Sequence, residues 1–407
     1  MRILMLSLYF EPDIAANAVI MTGIARELVK RGHEVTVVCA FPHYAKNMTQ
    51  DQFRGRLVDK EKRGGLTIIR TYIYTAPEKD RFLVRFFNYL SFNVLSTLAG
   101  MFSGPQDILF APSPPLTVGL SAALIGWIKR IPYVYNVQDI NPDVLIKLGI
   151  LTNPLVISFS KMLEKFVYQR AEHVTVLSEG FKRNLLGKEV PERKMTIIPN
   201  FIDPDFIQPL PKDNAFREEC GVEGKFVILY AGNLGHSQNL ELLLECAHLL
   251  RKREKFAFLI VGNGSRKPVL VDKASELGLQ NLQFVPFQPR ERVPEIYAAA
   301  DLSLVTLKRG IAVDSVPSKV YTIMASCRPV VAAVDPGSDT WRLVEDADCG
   351  LCLEPEDPGE LAETILALSS QEESLDRLGK NGREYVLRYH TRKQVGKKYD
   401  QLFRSLK

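Results

Sequence analysis

Short runs of β-branched and aliphatic residues alternate with stretches of helical periodicity along nearly the whole chain, and no other feature limits its folding so strongly. Residues 2–8, 34–40, 68–72, 108–111, 133–137 and 174–177 read as strands, and 17–31 reads as the helix joining the first two. Continuous apolar strands separated by helices belong to a parallel sheet covered on both faces. Gly32-His33 closes that first helix before the second strand. The rhythm stops at Ile197-Ile198-Pro199-Asn200-Phe201-Ile202-Asp203-Pro204, where Pro209 and Pro211 follow, and an interdomain linker is expected there. It then restarts with strands at 226–231, 256–261, 282–284, 302–306 and 329–333, and helices at 239–252, 269–277 and 320–326. The reading is α/β, with two Rossmann-like parallel-sheet domains, 1–200 and 201–385, facing a central cleft. Residues 386–407 form a C-terminal crossover helix that packs back across the junction. Ligands of open α/β sheets bind at the carboxyl ends of the strands, which places the chemistry there.

A length of 407 residues suits two domains. The charge is unevenly spread: residues 1–200 hold 25 basic and 17 acidic side chains, the remainder 27 and 30. Attraction to an anionic surface therefore belongs to the first half. The basic residues are dispersed and lack aromatic interleaving, which argues against a nucleic-acid binder. Six scattered cysteines do not make a disulfide framework, and Cys349-Gly-Leu-Cys352 reads as two small residues of a strand or loop. The apolar start through Phe10 is short and is followed by Glu11, Pro12 and Asp13, as in a first strand rather than a signal peptide. Residues 82–102 carry 14 apolar side chains and one charge, Arg85, with Lys79 and Arg81 just before. Asn88, Ser91, Asn93, Ser96 and Thr97 argue against a membrane span. The segment reads equally as an interfacial helix touching a membrane or as a buried helix on the first sheet. Residues 118–130 read as core.

No Gly-x-Gly-x-x-Gly follows the first strand and no P-loop occurs, which weakens dehydrogenase and NTPase readings. The second domain's first strand ends in Tyr230-Ala231-Gly232-Asn233-Leu234-Gly235, followed by Gln238. Gly232 and Gly235 let backbone approach a ligand, and the next helix start favours an anion. A second turn runs from Thr306 through Arg309, Asp314 and Pro317 to Ser318-Lys319. Ser318 is the expected N-cap. Lys319 in the first turn opposes the helix dipole unless an anion compensates. A diphosphate would, with Arg309 sharing the load and Asp314 holding sugar hydroxyls. In the first domain Asp139 and His43 follow strands at their carboxyl ends, Asp139 toward the reaction and His43 on the acceptor side. Gly262-Asn263-Gly264 is a third such turn, expected to wall the nucleotide base, whereas His33 lies at the wrong end of its sheet.

These motifs, with Arg31-Gly32-His33-Glu34, Val176-Leu177-Ser178-Glu179-Gly180-Phe181, Ile198-Pro199-Asn200-Phe201-Ile202-Asp203 and Val316-Pro317-Ser318-Lys319, resemble those of the family 4 retaining glycosyltransferases of GT-B architecture. The similarity is greatest to the bacterial O-antigen, capsule and exopolysaccharide branch, including fucosamine and colanic-acid-type transferases. The resemblance implies retaining transfer of a sugar from a nucleotide-diphosphate donor, UDP- or GDP-linked, to a glycan or polyprenyl-diphosphate-linked acceptor. No cofactor or metal is implied, and the expected location is cytoplasmic, peripheral on the inner face of the membrane. The family's phosphate-binding Arg and Lys fall on Asn233 and Gln238, its paired glutamates on Asp314 and Thr322, its small-glycine loop on Ala15-Ala16-Asn17, and the His preceding its first-domain Asp on Gln138. Lys319, Asp139 and Asp314 are thus the expected catalytic group. Two readings compete: a nucleotide-sugar epimerase of the same fold, and a catalytically silent scaffold of a glycan assembly complex.

Overall fold

The computed structural model describes residues 1–43, 53, 55–75 and 82–407. Tyr44, and Lys79 and Arg81 ahead of the 82–102 segment, lie outside them. The chain forms two compact units, one of Met1–Asn200 with Arg392–Lys407 and one of Phe201–Thr391. The chain thus rejoins the first unit at Arg392 rather than at residue 386.

The first unit holds an eight-stranded sheet of β1 (Arg2–Ser7), β2 (Glu34–Ala40), β3 (Val58–Arg63), β4 (Leu66–Thr71), β5 (Ile108–Pro112), β6 (Tyr133–Val137), β7 (His173–Val176) and β8 (Met195–Ile197). Its order is β3-β4-β2-β1-β5-β6-β7-β8. All pairings are parallel except β3 with β4, an antiparallel edge that the alternation does not announce. The sequence of β3, Val-Asp-Lys-Glu-Lys-Arg, is charged and mostly exposed, as suits a sheet edge that must not pair further. Strands β1, β5 and β6 are buried nearly throughout, which explains their largely apolar runs, with Asn136 of β6 a buried polar exception.

The returning helix Arg392–Ser405 is held by this unit. Gly396 lies so close to the helix Ala16–Lys30 that a Cβ there would meet Glu27 Cγ at 2.1 Å. His33 Nε2 lies 2.7 Å from Asp400 Oδ1. His33 therefore serves the fold, at the end of the helix away from the carboxyl ends of the strands. The single helical segment expected near the carboxyl terminus is two helices, Glu372–Tyr389 and Arg392–Ser405.

The second unit holds a six-stranded parallel sheet of β9 (Phe226–Asn233), β10 (Phe256–Asn263), β11 (Leu282–Val285), β12 (Leu302–Thr306), β13 (Val330–Ala333) and β14 (Gly350–Leu353), in the order β11-β10-β9-β12-β13-β14. Its core runs from Ile228 and Leu243 through Phe258 to Leu361 and Ile365. The cysteines are free, and burial pushes the thiols of Cys349 and Cys352, which flank and enter β14, up to about 12. A redox role has no support in such groups.

Two expectations about helices need correction. The helix Val118–Lys129 is core on one side only: Ile125 is fully buried, yet Trp127 is 76% exposed. A further helix, Pro154–Arg170, was not expected at all. Its periodicity misleads because Leu155, Phe159 and Met162 face outward while Glu164 is buried.

Candidate functional site

Strand β9 is buried from Phe226 to Tyr230 and opens to solvent at Gly232 and Asn233. The next strand, β10, ends in the same Gly-Asn pair and stands in register with it, Gly262 opposite Gly232 and Asn263 opposite Asn233. Both glycines have φ of +148°, a region L side chains rarely adopt. A Cβ on Gly262 would fall 2.0 Å from the Gly232 carbonyl oxygen, so Gly262 is dictated by strand packing. On Gly232, a Cβ would meet Lys319 Nζ at 3.1 Å and Cε at 3.2 Å, so the missing side chain makes room for the lysine.

Lys319 opens the short helix Lys319–Ala325. Its ammonium stands 3.7 Å above the centroid of the Tyr230 ring and donates to Gln238 Oε1 at 3.2 Å. The Tyr230 hydroxyl donates toward the Asn233 carbonyl at 2.8 Å and lies 3.1 Å from the same Gln238 oxygen. Among the described residues no carboxylate pairs with Lys319, and burial pulls its ammonium down to about 7. A ring face and one amide oxygen compensate a desolvated cation only partly. Tyr230, Gly232, Asn233, Gln238 and Lys319 thus converge at the carboxyl end of β9 around an ammonium that no carboxylate among the described residues compensates. Sequence reasoning missed Tyr230. The available signal was an aromatic residue two positions before the glycine of a strand-end turn.

Other expected members stand differently. Ser318 occupies the N-cap position but caps nothing with its side chain; its backbone is already helical, so the turn begins earlier. Thr322 lies in the next turn, half-buried, with its carbonyl accepting from Ser326. Gly235 packs its backbone against the Asn233 side chain. Arg309, expected to share a diphosphate, is 52% exposed and engaged elsewhere, 3.1 Å from Glu354 Oε2 and 3.5 Å from Glu356 Oε2. That carboxylate pair holds its guanidinium more strongly protonated than usual. Asp314 has no exposed surface, at 0%, so it does not offer its carboxyl to an incoming hydroxyl in this conformation. A separate cavity of about 220 Å³ lies by the amino ends of the strands, lined by Lys212, Lys255, Asp301 and Arg328. Two of its three lysines are occupied, Lys212 by Asp301 at 2.8 Å and Lys255 by the Ser369 carbonyl at 2.7 Å, and it lies at the end of the sheet away from the strand-end turns.

In the first unit, β6 delivers Gln138 and Asp139 at its carboxyl end. Gln138 is buried in a saturated network. It donates to Asn136 Oδ1 at 2.7 Å and accepts from Asn200 Nδ2 at 2.9 Å, while its backbone N–H meets Ser113 Oγ at 3.1 Å. Asn136 in turn donates to Thr175 Oγ1 at 2.9 Å and to the Tyr399 hydroxyl at 3.1 Å. Gln138 thus ties the strand to Asn200, and its neighbour Asp139 is half-buried. At the end of β2, His43 stacks on Tyr9 with centroids 5.0 Å apart and places Nδ1 2.8 Å from the Phe41 carbonyl. That bond puts the proton on Nδ1 and leaves Nε2 as the accepting nitrogen. Asp13 steadies the loop by accepting the His43 backbone N–H at 3.2 Å. Asn17 sits in the first turn of Ala16–Lys30, a helix start with no side-chain cap and no acidic residue. Both Asn17 amide atoms are buried without a hydrogen-bond partner among the described residues. Among those residues no cluster of His, Cys, Asp and Glu could hold a metal ion.

Comparison with known proteins agrees with this division. Residues 212–385 match the glycosyl transferases group 1 family, and residues 18–200 match the glycosyl transferase 4-like domain. WcaI of Escherichia coli (strain K12), assigned provisionally as a colanic acid biosynthesis glycosyl transferase, is 26% identical over 95% of this chain and 96% of its own. Among solved structures, Anabaena HepE in complex with UDP superposes with a TM-score of 0.74 at 17% identity, covering all of both chains. Sucrose-phosphate synthase from Thermosynechococcus elongatus gives 0.76 at 18%, covering 100% and 98%. The strand-end turns and the two parallel sheets are thus those of a recognised enzyme class: the chain joins a glycosyl transferase 4-like domain to a group 1 glycosyl transferase domain and is a glycosyltransferase of GT-B fold.

Proposed function

We propose that the protein moves a sugar from a nucleotide-diphosphate donor, UDP- or GDP-linked, to a glycan or polyprenyl-diphosphate-linked acceptor, with retention at the anomeric carbon, in cell-surface polysaccharide synthesis. The observation that carries this reading is Lys319: a desolvated ammonium over the Tyr230 ring, with an amide as its only polar contact among the described residues. A departing diphosphate beside it supplies the missing negative charge, and the amine in turn stabilises the charge that develops on the leaving group. In the reaction the bond from the anomeric carbon to the phosphate oxygen breaks. The acceptor hydroxyl oxygen bonds to that carbon on the same face, and its proton passes to a basic site.

Asp139 would orient the reacting sugar or acceptor, and His43 Nε2 would receive an acceptor hydroxyl. Asn17, at its uncapped helix start, would meet donor phosphate oxygens. Asn233 and Gln238 would contribute amides where charges stand in relatives. Asp314 could hold donor hydroxyls only after its loop opens, and Arg309 is left out. The surface-polysaccharide role is supported by the likeness to the colanic acid relative, and the UDP-linked alternative by the UDP complex of the Anabaena protein. The +8 balance of residues 1–200 and the helix at 82–101 support contact with the membrane face where lipid-linked acceptors reside.

The test is a thermal-shift screen of UDP-, GDP- and ADP-sugars followed by NMR of the transferred product. A donor that binds only the folded state raises its melting temperature. The product should keep the donor's anomeric configuration. Inverted product would overturn retention, and an isomerised donor formed without acceptor would favour the epimerase.

A further inference from the structure

Three helices of the first unit, Phe82–Met101, Val118–Lys129 and Pro154–Arg170, pack side by side. Their contact is close: a Cβ on Gly100 would come within 2.6 Å of Ile125 Cδ1, and one on Gly119 within 2.4 Å of Val167 Cγ1. Asn93 Nδ2 donates across the first seam to Thr117 Oγ1 at 2.7 Å. The polar residues that argue against a membrane span thus partly serve helix contact. Each helix buries one side, at Phe92, Ile125 and Val167.

The opposite sides carry Phe87, Leu98, Leu124, Trp127, Phe159 and Met162, all exposed. Scattered single apolar residues on a surface are ordinary, but aromatic and aliphatic stripes on three adjoining helices form a patch, and such patches mark docking surfaces. Charge identifies the occupant. The first helix contains one charged residue, Arg85, and the second one, Lys129. The third holds Lys161, Lys165, Arg170 and a single carboxylate, Glu164, which is buried and bonded to Lys188 and Tyr168. No exposed carboxylate therefore stands on any of the three, while Lys161 and Lys165 are exposed on the flank of the Phe159–Met162 stripe. Lys165 pairs with Glu189 Oε2 at 2.8 Å, an exposed carboxylate outside the three helices that a lipid phosphate would replace. Apolar anchors whose own helices expose only cations complement a lipid surface with anionic headgroups.

We propose that this three-helix face lies on an anionic bilayer, with Trp127, Phe159 and Met162 entering the headgroup boundary and Lys161 and Lys165 meeting lipid phosphates. It deepens the membrane-contact part of the function proposed above, extending it from one helix to three and committing to the lipid charge. No helix among the described residues is long and apolar enough to cross a membrane, so the contact is with one leaflet.

The chain has two tryptophans, so Trp341→Phe leaves Trp127 as the sole indole reporter. With vesicles of phosphatidylglycerol and phosphatidylcholine, its emission should shift to the blue and be quenched by brominated acyl chains. Pure phosphatidylcholine should bind less, and salt should erase the difference. Phe159→Glu with Met162→Glu should lower vesicle affinity about tenfold or more, and Lys161→Ser with Lys165→Ser should abolish the preference for phosphatidylglycerol. Unchanged melting temperatures establish that these variants fold. Absence of quenching, or vesicle binding indifferent to both double substitutions, overturns the proposal. So does a dimer in light scattering that dissolves on Phe159→Glu, which would assign the face to a second copy. Vesicle binding without sugar transfer would sustain this inference while sinking the donor reading, and the reverse result would separate them the other way.

Discussion

The end of β9 and the end of β6 are both carboxyl ends of parallel strands and are built on opposite terms. At β6 each polar atom of the Gln138 side chain has a partner inside the fold, through Asn136 and Asn200. At β9 the ammonium of Lys319 rests on a ring and an amide, and no carboxylate among the described residues answers it. A satisfied network rigidifies the strand end it occupies, whereas an undercompensated charge stores an appetite for a ligand. The function proposed above makes of this difference a positioning corner and a binding corner.

The comparison breaks most readily at Lys319. Lys319→Ala should lower turnover by about 10²–10³, the loss typical of removing one group that stabilises developing negative charge. The fold should be retained, since burying that amine is itself a cost. Single-turnover release of nucleoside diphosphate measures the loss, and near-normal release would remove Lys319 from the mechanism. Gln138→Leu should act on the other quantity. It deprives Asn136 Oδ1 and Asn200 Nδ2 of this partner and should cost about 1–3 kcal/mol in urea unfolding, with turnover of the folded protein little altered. A turnover loss equal to that of Lys319→Ala with stability intact would erase the distinction.

A subtler test follows from the proton on Lys319. Burial brings the folded amine down to about 7 from its ordinary 10.5, so the unfolded chain binds the extra proton between those values. Its contribution to stability therefore rises as pH climbs from about 7 toward 10.5, and Lys319→Met should flatten that rise. A diphosphate favours the charged amine, so UDP binding near pH 8 should take up as much as about one proton. Calorimetry in buffers of different ionisation heat reads this uptake, and the Met variant should lose it. The smallest effect is expected for Arg309→Ala. With its guanidinium exposed on Glu354 and Glu356, donor affinity should stay within about twofold by isothermal titration.

Much of the architecture was legible because buried parallel strands are predominantly apolar, as β1, β2, β5 and β6 are, with Thr36 in β2 and Asn136 in β6 as polar interruptions. The edge strand β3 was not, because the charges that protect an edge imitate a solvated loop. Helix Pro154–Arg170 was hidden for a related reason, its outward side being the apolar one. At the site, Lys319 was visible as a cation misplaced against a helix dipole, and Gly232 as a permissive turn. What no local pattern could supply were partners distant in sequence: Tyr230 beneath the lysine, and Glu354 and Glu356 drawing Arg309 away. Asp314 shows the same limit, since burial depends on how its loop folds back.

The return of residues 392–405 to the first unit has a consequence for biogenesis. On the ribosome that unit lacks its Tyr399 and Asp400 anchors until the entire second unit has been synthesised, so Asn136 and His33 wait with their contacts unmade. The second unit is in effect an inserted passenger, and a chain cut at residue 391 would expose a raw seam on the first unit instead of yielding two clean halves.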